Sequence, residues 1–224
     1  MHPPLKVVVF GYRGVLLDNV GPEHNAVKDV FRLCRSGRPP GLDQYRKGRG
    51  VDFAEFCYSH GISRDIGPER LRELKKEALL IRGKGIEFYA GARQVLSTCI
   101  NLKLKTVIVS KALERVIEGR LFQFNITQEV SFIRGGVSNV TEALLSIIST
   151  EMVEPGEVLF VEDTRDRLVA GKEVGVRTLG ITHGHNDRET IMRARPEFPN
   201  RKFPRTESLW QVRRIICHIA GAAR

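Results

Sequence analysis

The chain has 224 residues, 42% of them hydrophobic and 28% charged. That fits one generous domain, or a core carrying a smaller module, and excludes disordered, collagen-like and disulfide-framework classes. Thirty-six Lys and Arg against 26 Asp and Glu leave a formal charge of +10, a field that attracts phosphorylated ligands, acidic macromolecules or nucleic acid.

The first predicted element is a strand over 5–10 (Leu-Lys-Val-Val-Val-Phe). Helical patterns alone follow, over 22–34, 52–60 and 67–81. In the last of these Pro68 suits a first helical position, and Leu71, Leu74, Ala78 and Leu79 form a stripe. Strands and helices then alternate: a helix over 92–102, a strand over 105–110, a helix over 140–149, a strand over 157–162, a helix over 165–174 stopped by Gly175, and a strand over 176–182. A last helix is expected after a Thr206 cap, with Leu209, Val212, Ile215, Ile216 and Ile219 inward.

The strands are apolar almost throughout, the mark of a parallel sheet covered on both faces. The expected architecture is a three-layer, Rossmann-like α/β core, residues 1–18 and 91–224, with a helical cap inserted at 19–90. No stretch approaches the ~20 apolar residues of a membrane span, and no secretory or transit pattern opens the chain. A cytoplasmic protein with no membrane association is expected. Cys34, Cys57, Cys99 and Cys217 form no Cys-x-x-Cys pair and read as buried free thiols.

In a parallel sheet function gathers at the carboxyl ends of the strands. Three segments stand there: residues 11–19 (Gly-Tyr-Arg-Gly-Val-Leu-Leu-Asp-Asn), Ser110-Lys111, and Glu162-Asp163-Thr164. With Tyr89-Ala90-Gly91 and the run 170–184, this layout resembles the haloacid dehalogenase superfamily. Its closest outlines are the capped small phosphatases, phosphoglycolate phosphatases and β-phosphoglucomutases.

The resemblance implies Mg²⁺-dependent phosphate-ester chemistry. One aspartate at the end of the first strand attacks phosphorus, and a second, two residues on, acts as acid and base. Here those positions are Gly11 and Arg13. Glycine has nothing to attack with, and a guanidinium stays protonated. The family's lysine ahead of the fourth motif is also missing, since no lysine lies between Lys111 and Lys172; Arg134 is its candidate substitute. The fourth motif keeps Glu162 and Asp163, which would hold Mg²⁺ if any is bound, but places Arg167 where a further aspartate is expected. Asp18 belongs to the turn leading into the cap and reads as structural.

Two carboxylates are lost and a cation is gained. The sequence therefore suggests that Arg13 pairs with Asp163 or Glu162 in place of a metal, or else points into the open cleft. Ser110, Lys111, Arg13 and Arg134 are the phosphate-binding candidates, with Ser110 equally readable as a satisfied strand-end residue. His183 and His185 have chelate-like spacing, read as loop residues without a metal role. Residues 193–205 mix Arg and Lys with Phe198 and Phe203, a basic-aromatic pattern known from single-strand binding, here read as an ordinary connection. The favoured expectation is a phosphatase homologue that binds a phosphorylated small molecule or an acidic macromolecule without turnover and needs no cofactor. The alternatives are an active Mg²⁺-dependent phosphohydrolase with a re-recruited nucleophile, and a nucleic-acid-associated or scaffold protein.

Overall fold

The computed structural model describes residues 3–221. Strand β1 (Val7–Gly11) is buried at all five positions, as its unbroken apolar run requires. The chain then leaves the sheet for four helices: α1 (Val20–Cys34), α2 (Leu42–Lys47), α3 (Phe53–Ser59) and α4 (Pro68–Arg82). Asp52 caps α3 by accepting from the Ala54 and Glu55 amides, and Pro68 opens α4. These helices bury a cluster of their own, including Val27, Phe31, Phe56 and Leu71.

The chain returns as α5 (Ala92–Asn101), β2 (Lys105–Val109), α6 (Glu114–Gln123), β3 (Phe132–Arg134), α7 (Val140–Glu151), β4 (Val158–Glu162), α8 (Arg165–Val174), β5 (Arg177–Gly180), α9 (Arg188–Arg193) and α10 (Leu209–Gly221). The sheet runs β3-β2-β1-β4-β5, parallel throughout. Residues 8 and 10 pack with α5, α6 and α10 on one face, and residues 7 and 9 pack with α7 on the other. The result is a three-layer α/β fold.

Several elements differ from expectation for local reasons. Strand β3 has three residues, one of them buried, too little apolar run to stand out. Helices α2 and α9 have six residues each, and α6 buries only Ile117 and Leu121. Thr206 does not cap α10: its hydroxyl donates to the Gly180 carbonyl at 2.6 Å, tying the tail to the end of β5. Phe198 extends that edge by bridging to Leu179. Cys57 and Cys99 are buried free thiols as expected, whereas Cys34 and Cys217 are half-buried. Among the described residues no helix is long and apolar enough to cross a membrane.

Candidate active site

The register fixes the site. Strand β1 lies between β2 and β4, with Gly11 opposite Val109, so three carboxyl ends deliver Gly11, Ser110 and Glu162-Asp163 to one rim. A cavity of about 820 Å³ opens there, lined from the sheet by Arg13, Ser110, Lys111, Glu162 and Asp163 and from the inserted helices by Glu23, Arg49 and Lys75.

The rim is closed by a residue that sequence reasoning noted only as a disturbance. Arg167, on the first turns of α8, donates from Nε to Glu162 Oε2 at 2.6 Å and from Nη2 to the Val109 carbonyl at 3.1 Å. Because β1 runs between those two strands, the guanidinium spans the end of β1. Glu162 leans into the same space: a Cβ on Gly11 would lie 2.6 Å from Glu162 Oε2 and 2.9 Å from Val15 Cγ2. The missing side chain at position 11 is what lets this ion pair close.

Asp163 is held by a second cation. Its Oδ2 accepts from the His185 amide at 2.6 Å and from the His185 ring Nδ1 at 2.7 Å. The other ring nitrogen faces Glu23 Oε2 at 3.5 Å. Burial opposes charge on His185, but Asp163 and then Glu23 outweigh it and raise its pKa to about 9, so the ring is an imidazolium near neutral pH. Burial likewise works against ionised Asp163, yet His185 holds it well below the ordinary carboxylate range. Gly14 is required beside this pair: a Cβ there would meet Asp163 Oδ2 at 1.9 Å. Burial pushes the Glu162 carboxyl up; Arg167 opposes that shift, and the Asp163 charge reinforces it.

Arg13 therefore does not fill the predicted role. Its side chain is 51% exposed, and its nearest carboxylate is Glu23 at 4.0 Å; it pairs with neither Asp163 nor Glu162, because Arg167 and His185 already do. Its position matches the open-cleft alternative. Glu23, on α1, is the hub of the inserted helices: it accepts from Asn19 at 2.5 Å, Tyr45 at 3.1 Å and Arg49 at 3.3 Å. Burial opposes its ionisation, but His185 and Arg49 hold it ionised, well below the ordinary range.

Ser110 is buried and its oxygen accepts from the Ala112 amide at 3.1 Å, which uses a lone pair and not the hydroxyl proton. Lys111 is exposed at the cavity mouth. Arg134 is not brought to the cavity: it ends β3 with its guanidinium 5.1 Å from the Phe132 ring centroid. His183 and His185 part company, since the His183 ring faces the Glu207 and Val15 carbonyls. Phe198 is buried and Phe203 packs against the core, so neither ring is presented for stacking on a base. Asp18 is exposed and lies outside the cavity lining.

The residues present do not fit a divalent cation. Such an ion takes carboxylate and carbonyl oxygens, but the first strand offers Gly11 and Arg13, while Glu162 Oε2 and Asp163 Oδ2 already accept from Arg167 and His185. One carboxylate in the lining stands apart. Asp166 is 75% exposed and, among the described residues, pairs only with the exposed Arg165, at 3.5 Å. Asp166 and Glu23 are carboxylates of the cleft that become visible only once α8 and α1 are placed. The roles of Arg167 and His185 had a faint signal in the first turn of α8, five residues past Glu162, and in the paired histidines of the loop after the last strand.

Comparison with known proteins agrees with the fold. The family model described as haloacid dehalogenase-like hydrolase matches residues 8–181. Phosphoglycolate phosphatase 1 of Pseudomonas aeruginosa is 26% identical over 205 residues, covering 85% of this chain and 74% of its own. Among solved structures, a putative phosphatase from Clostridium difficile superposes with a TM-score of 0.74 at 16% identity, covering 96% of this chain and 99% of its own. A putative β-phosphoglucomutase from Thermotoga maritima gives 0.60 at 22% identity, covering 85% and 91%.

Proposed function

The chain belongs to the haloacid dehalogenase-like hydrolase family, and from that membership we propose that it binds a phosphorylated small molecule at the strand-end cleft without hydrolysing it and without a metal cofactor. One observation carries the reading: the Arg167 guanidinium, paired with Glu162, spans the end of β1 above a glycine. A nucleophile needs a side chain at that point, and the space is taken.

Ligand binding is supported by the cavity itself. At about 820 Å³ it has the size of a small-molecule site. Arg13, Lys75 and Lys111 line it alongside the Ser110 hydroxyl, a donor set suited to phosphate oxygens. Binding to a pre-arranged set of cations requires no general acid, which Arg13 cannot be.

A second reading has its own support. Relatives carry the name phosphoglycolate phosphatase, and Asp166 offers an exposed carboxylate in the cleft. An active phosphohydrolase would use it as the re-recruited nucleophile.

One experiment separates the two: phosphate release from small phosphate monoesters, phosphoglycolate included, with Mg²⁺, beside calorimetric binding of the same esters. The favoured reading expects binding that weakens in Ser110→Ala/Lys111→Ala, with no release. Release that survives purification and vanishes in Asp166→Asn establishes the hydrolase instead.

A further inference from the structure

A second, smaller cavity of about 360 Å³ lies beside the cleft, where the inserted helices meet the sheet domain. Lys47, Arg49, Arg165 and Arg193 line it with Asn186 and a single carboxylate, Asp166. Arg49 is held by Glu23 and Arg193 pairs outward with Glu189, so the lining itself sets four cations around one carboxylate, an excess of positive charge that favours an entering anion. Nothing in the reading of the strand-end site uses Lys47, Arg165 or Arg193.

Their present partners leave them available. Arg193 pairs with Glu189 at 2.5 Å, both about two-thirds exposed, and Arg165 meets Asp166 at 3.5 Å. Exposed pairs of this kind contribute little and exchange readily for a better anion. Among the described residues Lys47 has no ion pair within 4.0 Å; its electrostatic role is to help the Thr190 contacts hold Asp187 below the ordinary carboxylate range against the effect of burial. Arginine guanidinium groups grip phosphate oxygens in pairs, and a lysine adds a point charge.

The cavity also spans a seam. Lys47 ends α2, among the inserted helices, whereas Arg165 opens α8 and Arg193 ends α9. The seam is already pinned by Arg46 Nη2 donating to the His183 carbonyl at 3.0 Å and by Asn186 Nδ2 donating to the Arg46 carbonyl at 3.3 Å. We propose that Lys47, Arg165 and Arg193 form a second phosphate-class anion site, separate from the strand-end cleft, whose occupant fastens the inserted helices to the core. Arg49, Asp166 and Asn186 line both cavities, so the occupant is either a free phosphate ion or the far phosphate of a ligand whose body lies in the cleft.

The test uses the full chain carrying Ser110→Ala/Lys111→Ala, which weakens the cleft and leaves the seam intact. Inorganic phosphate and glycerol phosphate are titrated by calorimetry against a chloride control of equal ionic strength, with circular dichroism reporting that each variant is folded. Phosphate binding is expected to persist in this background and to weaken at least about tenfold when Lys47→Ala/Arg165→Ala/Arg193→Ala is added. Equal affinity for the two probes assigns the site to the free ion; tighter binding of the ester assigns it to a ligand's phosphate. No binding in the cleft-weakened protein, or binding unmoved by the seam substitutions, overturns the proposal. Because the cleft variant is measured first, failure at the seam is distinct from failure of the cleft reading.

Discussion

The interior of the sheet and its carboxyl rim are built from the same three strands, yet they obey different constraints. Inside, Val7, Val9, Val107, Val158 and Phe160 are fully buried in one apolar cluster. Each contributes by area and fit, and any chain keeping that pattern keeps the fold. At the rim the same strands end in Gly11, Ser110, Glu162 and Asp163, where each group is stable only through a specific partner. The interior therefore tolerates change at the rim, while the rim can change only in matched sets. Gly11 with Glu162 and Arg167 is one such set, and Asp163 with His185 and Glu23 is another.

The largest effects should come from breaking either region, with different signatures. Leu144→Ala empties a fully buried position of the same cluster and is expected to cost about 2–5 kcal/mol in urea unfolding, with ligand binding by the folded protein unchanged. Arg167→Ala leaves the Glu162 carboxylate buried without its partner and should cost about 3 kcal/mol. At the rim, unlike the interior, a second change repairs the first: Arg167→Met/Glu162→Leu should recover most of the loss. Recovery of nothing would show that the pair is not what holds the rim.

A smaller effect is expected at the glycine. Gly11→Ala forces a Cβ to within 2.6 Å of Glu162 Oε2 and should cost about 1–3 kcal/mol by overpacking. The same substitution in a Glu162→Ala background should cost clearly less, a coupling measurable by a double-mutant cycle. Additive costs would mean that Glu162 is not what excludes a side chain at position 11.

The pH dependence is gentler. His185 has its pKa raised from 6.5 to about 9 by Asp163 and Glu23 against burial. Its contribution is fully present below pH 6.5 and is lost as pH rises towards 9, because the unfolded chain releases the proton first. The raised Glu162 carboxyl acts in the same direction. Asp163 and Glu23, both held down, lose their contribution at the acid side, below their ordinary ranges. Urea midpoints should fall between pH 6.5 and 9, and His185→Asn should flatten that slope.

Interior and rim also differ in how much the sequence discloses. Four strands are legible because β-branched runs such as Val7-Val8-Val9 need no partner to be recognised. Strand β3 is not, since a three-residue edge strand with one buried side chain has almost no pattern. That Gly11 and Arg13 stand where the resemblance expects carboxylates is equally plain, since each is a single letter at a legible strand end. What replaces them is hidden: Arg167 reaches Glu162 only because α8 starts over the end of β1, and His185 reaches both Asp163 and Glu23 only because a loop after β5 meets the inserted helices. A sequence shows that a charge has changed but not which cation answers it, and so Arg13, at the position where the change stands, is the wrong partner.

With Arg167 on Glu162 and His185 on Asp163, the acidic residues at the strand ends have cations without a metal. Titration of the natural protein with Mn²⁺, followed by electron paramagnetic resonance, tests this most directly. The account predicts no stoichiometric ion at the strand ends, with signals for the natural protein and Asp163→Asn superimposable. One tightly bound Mn²⁺ per chain that disappears in Asp163→Asn would contradict it.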